Sequence, residues 1–232
     1  IVDEKKVLQL YPIIKKKNQI NKNPKLIFMG KIFFKPGNEK LINFDTLKDK
    51  KESLLKEFSL IDKSQFWSEI NKNQNSLIKF ENYKIMKTYL RELILLEINK
   101  NFKKYFHLVG EDAKKIGINF SNPTFKIEKI RKIYRGNICM DTGSILGSMS
   151  LYPRSIQIIE SGGMLIQTKQ NDSNKIWGDL EKKIISNNIE SLLNTIETNL
   201  SDSKTCNENL DMIFEKFKNS KSKIFKNLQE SL

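Results

Sequence analysis

The most regular hydrophobic pattern in the chain lies between residues 76 and 106, SLIKFENYKIMKTYLRELILLEINKNFKKYF. Met86, Tyr89, Leu90, Leu93 and Leu96 recur at steps of three, one, three and three, which places them on one helical face. Ile85, Ile94, Leu95 and Ile98 form a second apolar face, so the spacing predicts a long central helix buried on more than one side. The helical period returns after KQNDSNK. Ile176, Leu180, Ile184, Leu192, Ile196 and Leu200 line one stripe; Leu210, Ile213, Phe214, Phe217, Ile224 and Leu228 line another beyond the polar connector SDSKTCNEN. Two amphipathic helices in succession predict a helical hairpin over 175–232.

Strand signals lie elsewhere. Residues 1–24 read as an extension in which VLQLYPII leads into the polar linker KKKNQINKNP. KLIFMGKIFF and LINFDTL, separated by the turn KPGNEK, predict a β-hairpin over 25–47. Residues 48–118 read as helical, with Asp45 or Thr46 as a first N-cap. Seven of the ten glycines then fall between 110 and 163. There TFKIEKIRKIYRGNICMD, SMSLY, SIQIIE and MLIQTK predict antiparallel strands over 119–170, the last two joined tightly by SGG; FKIEKIRKIY also fits a short helix. The expected architecture is one α+β domain over 25–232, a small antiparallel sheet packed against a long buried central helix and a C-terminal helical hairpin.

Charge adds a candidate partner. The net charge of +14 favours polyanions such as nucleic acid. Lys outnumbers Arg by about nine to one, however, the bias of an AT-rich coding sequence, so part of the basicity carries no function. The densest mixed patch is Lys126, Lys129, Arg131, Lys132 and Arg135 interleaved with Phe125 and Tyr134, a composition that tracks a phosphate backbone and stacks bases. The longest aliphatic run, Leu93 to Leu96, is far short of the roughly 20 residues a membrane span needs. A soluble, intracellular protein is expected; the initial Ile points to a processed product or fragment. Cys139 and Cys206 have no Cys or His neighbour at metal-ligand spacing, which excludes a structural zinc site. The sole histidine, His107, reads as a helix-end residue. No cofactor or oligomeric state is implied.

Between Gly136 and Thr168 only Asp141, Arg154 and Glu160 are charged, in a chain that is 29% charged. Such a stretch suits strands buried on both faces or lining a pocket. Three of the four arginines cluster here, Arg131 and Arg135 just before the stretch and Arg154 within it. Where Lys is the default cation, Arg offers a planar fork for a carboxylate or phosphate. Within this stretch ICMDTGS resembles the active-site signature of aspartic proteases, which would make Asp141 one of two carboxylates sharing a proton. The chain has no second Asp-Thr-Gly or Asp-Ser-Gly, and helical segments bracket the match. A looser resemblance to PD-(D/E)XK nucleases implies carboxylates at Asp141 and Glu160 with Lys169, but Gln167 stands where an acid is expected. No metal ligands are assigned. There is no Gly-Lys-Ser/Thr phosphate loop, no Gly-x-Gly-x-x-Gly after a strand and no Gly-x-Ser-x-Gly elbow. Two function classes follow: polyanion binding through the 125–135 patch, or a ligand-binding or catalytic pocket. The pocket would use Asp141 and Glu160 as candidate acid/base groups and Arg154 as an anion clamp.

Overall fold

In the computed structural model, which describes residues 19–30, 44–63, 65–66, 76–110, 118, 120–143 and 150–230, the short apolar runs form one sheet. Its strands are β1 (Leu26–Met29), β2 (Phe106–Val109), β3 (Phe120–Ser121), β4 (Ile138–Asp141), β5 (Met164–Thr168) and β6 (Ile185–Ser186). They lie in the order β3-β2-β1-β4-β5-β6, and every neighbouring pair is parallel. In register, Phe28 stands opposite Leu108 on one side and Met140 on the other, and Asp141 opposite Gln167.

This corrects the expected α+β class with its antiparallel sheet: the protein is α/β. LIFM, ICM and MLI are unbroken apolar runs rather than alternating ones, and all of β4 and β5 is buried. A strand covered on both faces cannot show a solvent face in its sequence, and such strands pair in parallel through helical crossovers. Residues 31–43, the other half of the expected 25–47 hairpin, lie outside the described residues, and β1 pairs only with β2 and β4.

Helices supply the crossovers. Between β1 and β2 come α1 (Phe44–Asp49), α2 (Lys51–Lys56), a 3-10 turn at Phe58–Asp62 and the long α3 (Ser76–Phe102). In α3 Ile85, Met86, Leu90, Leu93, Ile94, Leu95 and Ile98 are all buried. Between β3 and β4 lies α4 (Ile127–Tyr134), and between β4 and β5 lies α5 (Pro153–Glu160). The expected SIQIIE strand is thus a helix. Pro153 occupies its first turn, where a missing N–H costs nothing, and Ser155, Ile158 and Ile159 fall on its buried side.

The C-terminal stripe over 175–232 is also divided. Its first part breaks into α6 (Ser173–Trp177), a 3-10 turn, α7 (Glu181–Ile184) and β6. Only then comes the helical pair α8 (Ile189–Ser201) and α9 (Ser203–Glu230). α8 opens on a capping box in which the Asn188 side chain accepts from the Ser191 N–H. The break before α9 is a single residue, Asp202, whose carboxylate accepts from the Thr205 N–H at 3.1 Å and hydroxyl at 2.6 Å. The polar connector SDSKTCNEN therefore forms the first turns of α9, with Cys206 buried. No helix among the described residues is long and apolar enough to cross a membrane.

Candidate functional site

In an open parallel sheet the crossovers from a central strand leave in opposite directions, and the gap at the carboxyl ends of the strands there is the usual ligand crevice. Here the sequence order reverses between β1 and β4. The order 3-2-1-4-5-6 is that of doubly wound, dinucleotide-binding sheets. A cleft of about 560 Å³ opens at this edge. Met29 and Gly30 at the end of β1 and Val109 and Gly110 at the end of β2 form its sheet side; Phe125 just before α4 and Ile127, Ile130 and Tyr134 within it form one wall, and Tyr152 just before α5 and Arg154 and Gln157 within it form another.

Arg154 is the charged member of this lining, and its surroundings fix it without using it up. Its guanidinium carbon lies 5.6 Å from the centre of the buried Phe28 ring, and its Nη1 is 3.7 Å from Asp141 Oδ1. No hydrogen bond from its side chain forms among the described residues, so the planar fork of N–H donors remains available at 23% exposure. Tyr152, the residue before α5, gives the helix no side-chain cap. The N–H groups of Arg154 and Ser155, which have no acceptor within the helix, and the positive end of the helix dipole thus sit beside the guanidinium.

Asp141 lies behind Arg154 and is fully buried. Its Oδ1 accepts from the Gly143 N–H at 3.0 Å, and its Oδ2 from the Ser155 hydroxyl at 2.5 Å. Gln167 Nε2 donates to the same Ser155 oxygen at 3.1 Å and to the Ser150 carbonyl at 2.8 Å. Asp-Thr-Gly is therefore a turn: the carboxylate folds back on the backbone two residues ahead, and Gly143 takes a φ of 77° that favours glycine. Arg91 from α3 closes the other side, donating from Nε to Thr142 Oγ1 at 2.9 Å and from Nη2 to the Gly143 carbonyl at 3.2 Å. Burial pushes the Arg91 guanidinium down to about 10, with Arg154 adding to the shift and Asp141 opposing it. Arg91 still carries charge at neutral pH. Two guanidiniums and one carboxylate leave this corner net positive.

The other expected site residues part company. Glu160 is buried at the far end of α5, six residues or roughly 9 Å along the axis from Arg154, and does not join Asp141. Lys126, Lys129, Lys132 and Arg135 are exposed along α4 and Arg131 is partly buried. Tyr134 faces inward, 1% exposed, on the floor of the crevice. Phe125, by contrast, is 94% exposed at the lip. Sequence reasoning missed the crevice's sheet side and Gln157. The one available signal for Gln157 was its position three residues after Arg154 in a segment that begins with Tyr-Pro.

His107 stands on β2 rather than at a helix end, its Nε2 2.6 Å from Ser121 Oγ. Burial, aided by the positive charge of Lys25, holds its imidazole below its usual range. A depressed histidine favours the neutral form in the fold, so below pH about 6.5 the unfolded chain binds the extra proton. Stability is expected to fall as pH drops through that range, and His107→Gln to flatten the fall, as chemical denaturation at pH 5 to 8 would show. Among the described residues no group of three His, Cys, Asp or Glu side chains is placed to hold a metal ion. In comparisons with known proteins, no family model, no curated protein and no solved structure matches this chain, so its chemistry is read from the crevice alone.

Proposed function

We propose that this protein binds a phosphorylated nucleotide in the crevice at the carboxyl ends of β1 and β2, beside the start of α5. The observation that carries the reading is Arg154: a partly exposed guanidinium with unspent donors, beside an uncapped helix start, at the point where the strand order reverses. Phosphate oxygens match the planar fork and the N–H groups at the start of α5 together. Opposite them, Phe125, Ile127 and Ile130 offer α4 as an apolar wall against which a nucleoside can lie. The cleft volume suits a ligand of that size. The same placement suits group transfer from a nucleotide-linked donor, since charge developing on a departing phosphate would fall on Arg154 and the start of α5.

Asp141 then serves as an anchor, holding Arg154 and the first turn of α5 in place. The reading is tested by calorimetric titration with inorganic pyrophosphate and nucleoside diphosphates. Arg154→Ala is expected to weaken both by about 10- to 100-fold, the loss of charge-assisted hydrogen bonds. Arg154→Lys, which keeps the charge but loses the fork, should fall between. Unchanged anion affinity in Arg154→Ala would end the proposal.

A second reading, nucleic-acid backbone binding, is favoured by the exposed row Lys126, Lys129, Lys132 and Arg135 beside the exposed Phe125. Its signature is affinity for single-stranded oligonucleotides that declines steeply between 50 and 200 mM salt, roughly one power of salt concentration per phosphate contact. Reversing Lys129 and Lys132 to Glu should abolish that binding while leaving pyrophosphate affinity in place.

A further inference from the structure

The floor of the crevice holds a hydrogen-bond donor that the protein itself does not use. Tyr134 is 1% exposed, and its hydroxyl has no partner among the described residues. Buried hydroxyls normally find one, because desolvation without a hydrogen bond is unfavourable. Phenylalanine would supply the same ring packing without that penalty, so the hydroxyl has no structural use here.

Its placement gives it another. Tyr134 is the last residue of α4, which runs back from the crevice toward the amino edge of the sheet. Side chains on a helix lean toward its N-terminus, so the ring reaches back up between α4 and α5 and meets the cleft from below. Arg154 and Asp141 lie near enough to act electrostatically on the phenol. Burial holds that phenol well above its ordinary range, which keeps it protonated and able to donate. Gln157, one turn along α5 from Arg154, lines the same slot, and its side chain has no hydrogen bond among the described residues. The crevice is therefore charged where α5 begins and neutral but polar deeper in, between apolar walls.

We propose that Tyr134 determines specificity in this crevice, its hydroxyl donating to an uncharged oxygen of the nucleoside whose phosphates rest on Arg154. Gln157 reads a second position beside it. The proposal rests on the nucleotide reading of the crevice, and the two fail differently.

The experiment compares wild type, Tyr134→Phe and Arg154→Ala by titration calorimetry with adenosine, guanosine, cytidine and uridine diphosphates and with inorganic pyrophosphate. Tyr134→Phe is expected to weaken the best-bound nucleoside diphosphate roughly 3- to 10-fold, the loss of one hydrogen bond, and to reduce discrimination among the four. Pyrophosphate affinity should stay within about twofold, since pyrophosphate has no nucleoside oxygen to accept the bond. Melting temperature should be unchanged or higher, because removing an unsatisfied hydroxyl relieves a cost. If Tyr134→Phe binds every nucleoside diphosphate as wild type does while Arg154→Ala weakens them, Tyr134 is overturned and the crevice reading stands. If Arg154→Ala also leaves all five probes unaffected, or none binds to wild type, the crevice reading falls and takes this proposal with it. A drop in melting temperature of more than about 5 °C in Tyr134→Phe would give the hydroxyl a structural role and equally overturn the proposal.

Discussion

Asp141→Ala is expected to lose about 3 to 5 kcal/mol of stability, the range for removing one partner of a buried charge pair. Three losses coincide. The Gly143 N–H and the Ser155 hydroxyl lose their acceptor, and Arg154 loses the carboxylate 3.7 Å away. Arg91, held against the same turn by Thr142 and the Gly143 carbonyl, then faces the second guanidinium with the Asp141 charge gone. Denaturant midpoints would show the effect directly. Asp141→Asn separates the roles further: it keeps the shape and an acceptor oxygen but not the charge, so its loss should be smaller. If Asp141 were a catalytic acid or base, Asn would leave the fold intact and abolish activity. As an anchor that competes with a bound anion for Arg154, its replacement by Asn should leave pyrophosphate affinity unchanged or higher, with a lowered melting temperature. A stable Asp141→Asn protein that has lost anion binding would contradict the anchor role.

That outcome bears on how much of this protein can be read from its sequence. The period of α3 is legible because Met86, Leu90 and Leu93 repeat every three or four residues over about two turns, and no strand can imitate that. The sheet is not. β1, β4 and β5 are four or five residues long and buried, and each opens on three or four consecutive apolar residues, so periodicity cannot say what direction their neighbours run. Antiparallel pairing fails because the segments between them are helical crossovers rather than turns and strands. SIQIIE is the clearest case. Its Ile156, Ile158 and Ile159 fit alternation nearly as well as a helix, and only Tyr-Pro ahead of it marks a helix start. The candidate site was half legible. The scarcity of charge between 136 and 168 pointed to the right region, and the retained arginine at 154 to the right cation. Glu160 is the other acid nearby in sequence, yet the helix that presents Arg154 to the crevice carries Glu160 away from it. The basic-aromatic pattern reads Tyr134 as an outward stacking ring, whereas α4 turns that position inward and, of the two rings, only Phe125 lies outward. Which face of a short helix meets the sheet depends on crossovers that sequence spacing does not encode.

The second large effect lies where two of those crossovers begin. Gly110→Ala is expected to destabilise by about 3 kcal/mol, at the upper end of what overpacking costs, because the obstacle is main chain rather than a side chain that could turn aside. A Cβ on Gly110 would collide with the Gly30 carbonyl oxygen and stand 3.0 Å from its carbon. Gly30 is held there by its own N–H bond to the Val109 carbonyl at 3.0 Å, and Gly110 by its N–H bond to the Ser121 carbonyl at 3.1 Å. The methyl group can be accommodated only by spreading β1 from β2 or by peeling β3 away. In a chain of this size about 3 kcal/mol lowers the melting temperature by roughly 6 to 12 °C, well within reach of a thermal scan. Binding should suffer with stability, since Gly30 and Gly110 form the sheet side of the crevice and Gly30 lies directly under Arg154, whose Nη2 would be 3.1 Å from an added Cβ there. A melting temperature within about 2 °C of wild type would mean that β1 and β2 do not approach so closely at their carboxyl ends. The crevice would then lack the narrow floor on which a ligand's contact with Arg154 depends.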